Sequence, residues 1–291
     1  LGGRTLPWWA VLLSIVATET STVTFLSIPG ITYGSENGDF RFLQITFGYI
    51  VGRLGTIALL LPLYFRGEPF TAYEVLEQRF GASTRRATSA LFLATRTIGD
   101  ALRLYLTALV LQQVVGLGIN SCVLLLGVLT IVYTVVGGVK SVVWNDCIQF
   151  VIYMAGAVVA LQVMVAALPG GWEQCVEFAQ SRDKFRLLDF DFGFQTKTMT
   201  FWAGLIGGMF LTAATHGTDQ LMVQRYLASR SQRGAAWALG LSGIVVCLQF
   251  ALFLLIGVAM ACFYNAFPPS EPVAGNDRAF GPFIVNHFPV R

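Results

Sequence analysis

The sequence predicts an all-α protein that crosses a membrane several times, and three observations carry that prediction. Hydrophobic residues make up 55% of the 291 residues and charged ones 12%, with a mean hydropathy of +0.66; a soluble domain carries roughly a quarter charged residues. The apolar residues gather in runs long enough for a bilayer core, which takes about 20 per helix. These runs are too long, and alternate too little, to be strands of a membrane barrel.

Seven runs qualify as spans, at about 7–33, 41–65, 87–115, 119–137, 142–168, 199–228 and 235–264. Loop charges orient them. Arg66, Arg79, Arg85 and Arg86 follow the second run, Lys140 the fourth, and Arg225, Arg230 and Arg233 the sixth. Those connections read as cytoplasmic. The opposite ones are acidic (Glu36, Asp39), uncharged (116–120) or long (169–198). The expectation is a multi-pass protein of the cell (plasma) membrane, with the N-terminal end inside and the C-terminal end outside.

Segment 66–86 is amphipathic and suits the inner membrane surface. Segment 169–198 sets Trp172, Phe178, Phe185, Phe190, Phe192 and Phe194 among charges. It reads either as a short external helix capping the bundle or as a solvated loop with interfacial anchors. The chain opens on Leu1-Gly2-Gly3, with no Met and no signal-peptide n-region, and ends at Arg291 after a polar loop. It is expected to be one transmembrane domain, residues 1–291, cut at both ends.

Several classes drop out. The net charge of +3 is small, and Lys and Arg fall between apolar runs rather than on one face, which argues against nucleic acid. No P-loop, H-E-x-x-H or G-x-S-x-G occurs, and no large soluble segment could host chemistry, so an enzyme is not expected. Of Cys122, Cys147, Cys175, Cys247 and Cys262, four lie in apolar runs, where Cys behaves as a small hydrophobe. No Cys/His metal spacing is present.

The polar residues inside the runs carry the functional information. The first run reads VLLSIVATETSTVTFLSIPG, small or polar almost throughout from Ala17 to Thr24, with Glu19 in the middle. A carboxylate near the bilayer centre costs about 2.5–3.5 kcal/mol on insertion scales, so Glu19 faces a cavity or a partner. One reading is a broken helix at a binding site; the other is a kinked helix with Glu19 paired to an arginine. The sixth run, GLIGGMFLTAATHGTDQ, has a similar interruption, loosened by Gly204, Gly207, Gly208 and Gly217 and made polar by Thr212, Thr215 and His216. Two interrupted helices point to a binding site at mid-membrane. In the third run Arg96, Asp100 and Arg103 share one helical face, as part of a site or as an ion-pair stack. Asp100 and Arg103 are expected to face the interior, with Glu19 within reach directly or through water. Asp146, beside Asn145 and Gln149, is a candidate cation ligand, since sodium prefers hard oxygen donors; the alternative is a capping or pairing residue.

Three stretches then resemble the sodium:solute symporter family: ATETSTVTFLSIPG (17–30), YTVVGGVKSVVWNDCIQF (133–150) and GTDQLMVQRYLAS (217–229). Their order and spacing fit across essentially the whole chain. The resemblance implies a LeuT-type inverted-repeat bundle. Residues 1–168 would form the first five-helix repeat, 169–198 an extracellular loop and 199–291 the start of the second repeat. Helices 1 and 6 would be the interrupted pair. It also implies a sodium site at the backbone carbonyls of Ala17 and Thr20, with Asp146 at a second site or on the exit path. The hydroxyl ligands of the first site would come from a helix beyond Arg291, so residues 1–291 alone are expected to bind neither sodium nor solute. By the same resemblance the solute would meet Glu19, Ser21, Thr24, Phe40, Gln44, Thr212, Thr215 and His216; Asp100 and Arg103 join this set.

The resulting expectation is sodium-coupled symport of a small polar solute (a sugar, amino acid or organic acid) across a lipid bilayer. The alternatives are a solute-sensing module of a signalling protein on the same fold and a passive channel. Polar residues clustered at mid-depth favour a carrier over a channel.

Overall fold

In the computed structural model, the described residues are 4–34, 38–66, 71–192, 199–268, 275–276 and 279–287. Glu36 and Phe194, counted above in outer connections, lie outside them. Among the described residues every regular element is a helix. The first apolar run folds as α1 (Trp8–Glu19) and α2 (Thr22–Tyr33), with Thr20 and Ser21 between them. A 3-10 turn (Phe40–Gln44) then leads into α3 (Ile45–Leu59) and α4 (Leu61–Arg66). The helices α5 (Glu74–Phe80), α6 (Ala82–Val115), α7 (Ile119–Ala167) and α8 (Gly171–Ser181) follow. The chain continues through α9 (Phe201–Thr218), α10 (Gln220–Leu227), α11 (Gln232–Ala266) and α12 (Phe280–His287).

Local chemistry sets these boundaries. Ser21 is extended (φ −76°, ψ 163°) and its hydroxyl accepts the Thr24 N–H, the N-cap arrangement that lets α2 restart. Asp219 does the same for α10, accepting from Leu221 N and Met222 N. Gly116 ends α6 with φ 74°, the left-handed conformation only glycine adopts cheaply.

Two details of the sequence reading take definite form. Runs 119–137 and 142–168 were expected as separate helices joined near Lys140. In the structure two helices meet within α7 (Ile119–Ala167) at a kink on Gly138 (φ 59°, ψ −162°), inside the expected gap, so a single glycine makes the break. Segment 169–198 contains a real helix, α8, with Cys175 and Ala179 buried.

Phe40–Arg66, α7 and α11 are long and apolar enough to cross a membrane, and α1 with α2 makes a fourth span if counted as one. The third run, α6, carries Arg96, Asp100 and Arg103, and α9 carries Thr215 and His216 near its C-terminal end.

Packing divides the chain into two compact units. The first comprises Leu1–Glu19, Gly48–Phe150 and Ile206–Ile244; the second comprises Thr20–Phe47, Val151–Leu205 and Val245–Arg291. In the first unit Leu6 N–H donates to Ala228 O (3.2 Å) and Arg230 N–H to Leu6 O (3.3 Å), tying the start of the chain to the end of α10. There α3 and α9 approach so closely that a Cβ on Gly52 would sit 2.6 Å from Met209 O. In the second unit Phe25 packs on Phe253, Phe280 and Tyr153, and Thr32 Oγ1 donates to Leu254 O (2.7 Å). Lys184, 2% exposed, buries its ammonium against the carbonyls of Thr32 (2.6 Å) and Gly38 (3.3 Å). Burial first, and Arg182 nearby second, pull its pKa below the ordinary lysine value.

The α3–α9 approach is testable. Gly52→Ala forces a methyl group against backbone that cannot rotate away and is expected to cost about 1–3 kcal/mol. Gly99→Ala on α6, where nothing lies within 4 Å, is expected to be neutral or to stabilise by up to about 1 kcal/mol. Thermal melts in detergent decide; a Gly52→Ala protein melting at or above the parent temperature rules the contact out.

Candidate functional site

The end of α9 is where the first unit collects its polar groups. A helix stopping inside apolar packing leaves its last carbonyls without N–H partners. Here three tyrosines supply donors: Tyr226 to His216 O, Tyr64 to Gly217 O and Tyr73 to Thr218 O (3.2 Å). Gln220 Oε1 accepts Ala72 N–H (2.7 Å), and the Asp219 cap also receives Arg96 Nη1 (3.1 Å).

Beside this end lies a buried ionic cluster. Arg53 on α3 is fully buried, and its Nη2 sits 2.6 Å from both carboxylate oxygens of Glu19, the last residue of α1. His216, also buried, brings Nε2 to Glu19 Oε1. The Arg53 guanidinium lies 5.8 Å from the Tyr49 ring centroid. Among the described residues, Arg53 Nε and Nη1 and His216 Nδ1 have no hydrogen-bond partner.

A second cluster joins α1, α7 and α10. Asp146 Oδ2 accepts from Ser14 Oγ, from Arg225 Nη2 (3.3 Å) and more distantly from Thr18 Oγ1 (3.5 Å). Arg225 also donates to Ser14 Oγ (3.0 Å) and Leu221 O (2.9 Å). Along α6 a third chain runs from Asp219 to Arg96, then Asp100 (2.9 Å from Arg96), then Arg103 (3.4 Å from Asp100).

Glu19, Asp100, Arg103, Asp146, Thr212, Thr215, His216 and Ala17 all belong to the first unit. Glu19 and His216 meet directly. Asp100 and Arg103 are half exposed, at 48% and 53%, and pair with each other. The expected link to Glu19 is corrected: its partners are Arg53 and His216. Thr212 is buried where α9 meets Gly52, and Thr215 bonds back to Leu211 O (2.9 Å).

Thr20, Ser21, Thr24, Phe40 and Gln44 belong to the second unit. Thr20 Oγ1 accepts from Gln249 Nε2 (2.6 Å), and Gln249 Oε1 accepts from Tyr153 (3.3 Å). Ser21 and Thr24 are engaged in the α2 cap. Phe40 packs on Phe185. Gln44, 1% exposed, donates to Arg41 O (3.0 Å) and Met199 O (3.3 Å) and accepts from Asp189 N (2.9 Å), so its amide holds backbone in place. Asp189 in turn receives Arg41 Nη1 (3.0 Å).

Sequence reasoning missed Arg53, Ser14, Thr18 and the three tyrosines, and placed Arg225 only as a loop charge. Arg53 was findable, because an arginine inside the apolar run 41–65 demands a partner as much as Glu19 does.

Acidic and basic side chains paired along apolar helices define a polytopic membrane protein with an internal polar cluster. The chain belongs to the sodium:solute symporter family, whose profile matches residues 1–282. It is 33% identical over 261 residues to the sodium/iodide cotransporter of Homo sapiens, covering 90% of this chain and 39% of that protein. It is 28% identical to the sodium-coupled monocarboxylate transporter 2 of Bos taurus, covering 99% of this chain and 46% of that protein. Identity to the sodium/sialic acid symporter SiaT of Proteus mirabilis (strain HI4320) is 29%, covering 99% of this chain and 58% of that protein. The fold matches a substrate-bound, outward-open sodium-coupled sialic acid symporter, described as revealing a novel sodium site. That match has a TM-score of 0.89 at 27% identity and covers 99% of this chain and 61% of the other. The chain thus spans 39% to 58% of the length of these curated relatives. The family and these relatives are transporters rather than enzymes.

Arg53→Met leaves the Glu19 carboxylate buried without its cation, and losing one partner of such a pair costs about 3–5 kcal/mol. The double variant Arg53→Met/Glu19→Gln is expected to regain most of that loss. Melting temperatures of the parent, both single variants and the double variant check it; additive losses contradict the pairing.

Proposed function

We propose that the complete protein is a sodium-coupled symporter that moves a small polar organic solute by alternating access across the cell (plasma) membrane. The observation that carries this reading is the family match over residues 1–282. The breaks at Thr20–Ser21 and at Asp219 support it, because interrupted helices are where such carriers place their sites. The proposed architecture is the LeuT-type inverted repeat with seven crossings in this chain, the N-terminal end cytoplasmic and the C-terminal end outside. In it α1 with α2, and α9 with α10, are the first and sixth crossings. α7 supplies two crossings that turn at Gly138; at 1.5 Å per residue its 49 residues span far more than the roughly 30 Å of a bilayer core.

Sodium binds at the break after α1, where last-turn carbonyls such as that of Ala17 lack following helical N–H groups, with Thr20 in the gap. Asp146, which shares its charge with Arg225 and Ser14, lies on the cation's second site or exit route. The proposed solute contacts in the first unit are Glu19, Asp100, Arg103, Thr212, Thr215 and His216; the candidates in the second unit, taken by itself, are Ser21, Thr24, Phe40 and Gln44. Of these, Gln44, Ser21 and Thr24 already have internal partners. Solute must therefore compete with those bonds, or these side chains shape the site without touching it. Two of the relatives named above carry organic acids, a monocarboxylate and sialic acid, and one carries inorganic iodide; the proposed class is a small polar organic solute. The sensor reading gains no support from them.

In proteoliposomes of the full-length protein, replacing external sodium by potassium or choline is expected to abolish concentrative uptake. Accumulation that persists without sodium or a proton gradient contradicts the proposal. Asp146→Asn is expected to raise the half-saturating sodium concentration about tenfold, equivalent to about 1.4 kcal/mol, while the protein still expresses. Superimposable sodium activation curves would leave Asp146 as Arg225's structural partner.

A further inference from the structure

We infer that Gln249 competes with the cation for Thr20 and so sets how tightly sodium is held at the first helix break. The inference rests on the proposed function, in which sodium meets that break. Gln249 lies at the midpoint of the 35-residue helix α11. Between Ser242 and Tyr264 it is the one side chain that carries a nitrogen or an oxygen. Val246 and Phe253, one turn to either side on the same face, are buried, and Gln249 itself is 1% exposed. An amide in such surroundings is costly unless its hydrogen bonds are made. Gln249 makes them at both ends. Its Oε1 accepts from the Tyr153 hydroxyl of α7 (3.3 Å), and its Nε2 donates to Thr20 Oγ1 (2.6 Å). The Tyr153 ring in turn packs edge-on to Phe25 of α2. All of these residues belong to the second unit.

A threonine hydroxyl offers one proton and two acceptor positions. Gln249 fills one acceptor position with an N–H, whose hydrogen is the positive end of the amide dipole. A sodium ion on the same oxygen would sit beside that hydrogen, and the repulsion is poorly screened where water is scarce. Sodium and the amide therefore weaken each other at Thr20. The exchange needs no movement of α11. Tyr153 holds the oxygen end of the amide, so the nitrogen end can leave Thr20 and return to it. A carrier has to release its ion as well as bind it, and an internal donor that retakes Thr20 lowers the affinity of the break for the ion. Gln249 is a positioning residue that acts on sodium through Thr20. It is not a ligand, because its oxygen, the atom able to face a cation, is turned to Tyr153.

The test is equilibrium binding of radiolabelled sodium to the full-length protein in lipid nanodiscs. Bound sodium per protein is read separately from the Kd, since a variant that folds poorly lowers the amount bound without moving the Kd. Gln249→Met keeps the length of the side chain and removes the N–H donor. It is expected to lower the sodium Kd by about two- to tenfold, the effect of deleting one neutral hydrogen bond. Thr20→Ala is expected to raise the Kd by about threefold or more. The double variant is expected to match Thr20→Ala, because the two residues act through one oxygen. If Gln249→Met does not fold, Tyr153→Phe decides. It leaves the amide but loosens its oxygen end, and is expected to lower the Kd by about twofold. A parent protein with no saturable sodium binding overturns both the sodium-coupled reading and this inference. A Thr20→Ala protein with the parent Kd removes Thr20 from the cation's site and overturns the inference as well. With Thr20→Ala shifted as expected, an unmoved or raised Kd in Gln249→Met (or in Tyr153→Phe, where that variant decides) overturns the role of Gln249 alone. The proposed function then stands.

Discussion

A carboxylate at the C-terminal end of a helix is in the wrong place twice over. It faces the negative end of the helix dipole, and in an apolar interior it has no water to disperse its charge. Glu19 is the last residue of α1 and sits in that position. Arg53 offsets both penalties, and much of the first unit follows from where it must be. A guanidinium buried on α3 fixes α3 against the end of α1. His216 then brings the end of α9 to the same carboxylate, and a histidine there suits the dipole at that helix end. Once α9 stops at this point its carbonyls need donors, and Tyr64, Tyr73 and Tyr226 fill that need. Asp219 sits at the favourable end of α10, where its negative charge is welcome.

The same pairing constrains how a cation can be bound. Glu19 is matched by Arg53, and Asp146 by Arg225. If both carboxylates are ionised, each pair is close to neutral, so neither offers a sodium ion an uncompensated negative charge. Under the proposed coupling, sodium is therefore held mainly by neutral carbonyl and hydroxyl oxygens, and it carries its charge across the membrane unscreened. Moving one charge through 100 mV is worth about 2.3 kcal/mol. A membrane potential then adds directly to the sodium gradient whenever the solute does not bring a compensating charge.

Much of the helical architecture was legible because it follows from local chemistry. Apolar runs mark the helices, and the small and hydroxyl-bearing residues at 17–24 mark the first interruption, which the structure closes with the Ser21 cap. The turn inside α7 falls at Gly138, within the gap between runs 119–137 and 142–168, although no loop accompanies it. The site was less legible because its contacts are remote in sequence. Glu19 meets residues 34 and 197 positions away, and Asp146 meets Ser14 at a separation of 132. A run of letters states that Glu19 needs a cation but not which one. Asp100 and Arg103 stand out as a charge cluster on one helix face, whereas Arg53 is a lone arginine in an apolar run. Gln44 shows the opposite difficulty, since an amide near a helix start reads as a ligand, and only coordinates reveal that backbone groups occupy it.

The two helix breaks differ chemically, and the difference assigns them different work. At the end of α9 the carbonyls of His216, Gly217 and Thr218 each receive a tyrosine hydroxyl, and the next helix begins at once on an aspartate cap. A cation arriving there would have to displace those donors and then meet Arg96 beside Asp219. The break after α1 is built from Thr18, Glu19, Thr20 and Ser21, a run of oxygen-bearing side chains. Their known bonds are short-range caps or bonds to neutral groups, apart from Glu19 itself and the weak Thr18–Asp146 contact. At the first break the bonds a cation would have to displace are the α2 cap at Ser21 and the Gln249 bond at Thr20, both to neutral groups, whereas the second is closed by tyrosine hydroxyls and an arginine. Under the proposed function, that difference makes the first break the more easily displaced by a cation and the α9–α10 junction the fixed frame of the first unit.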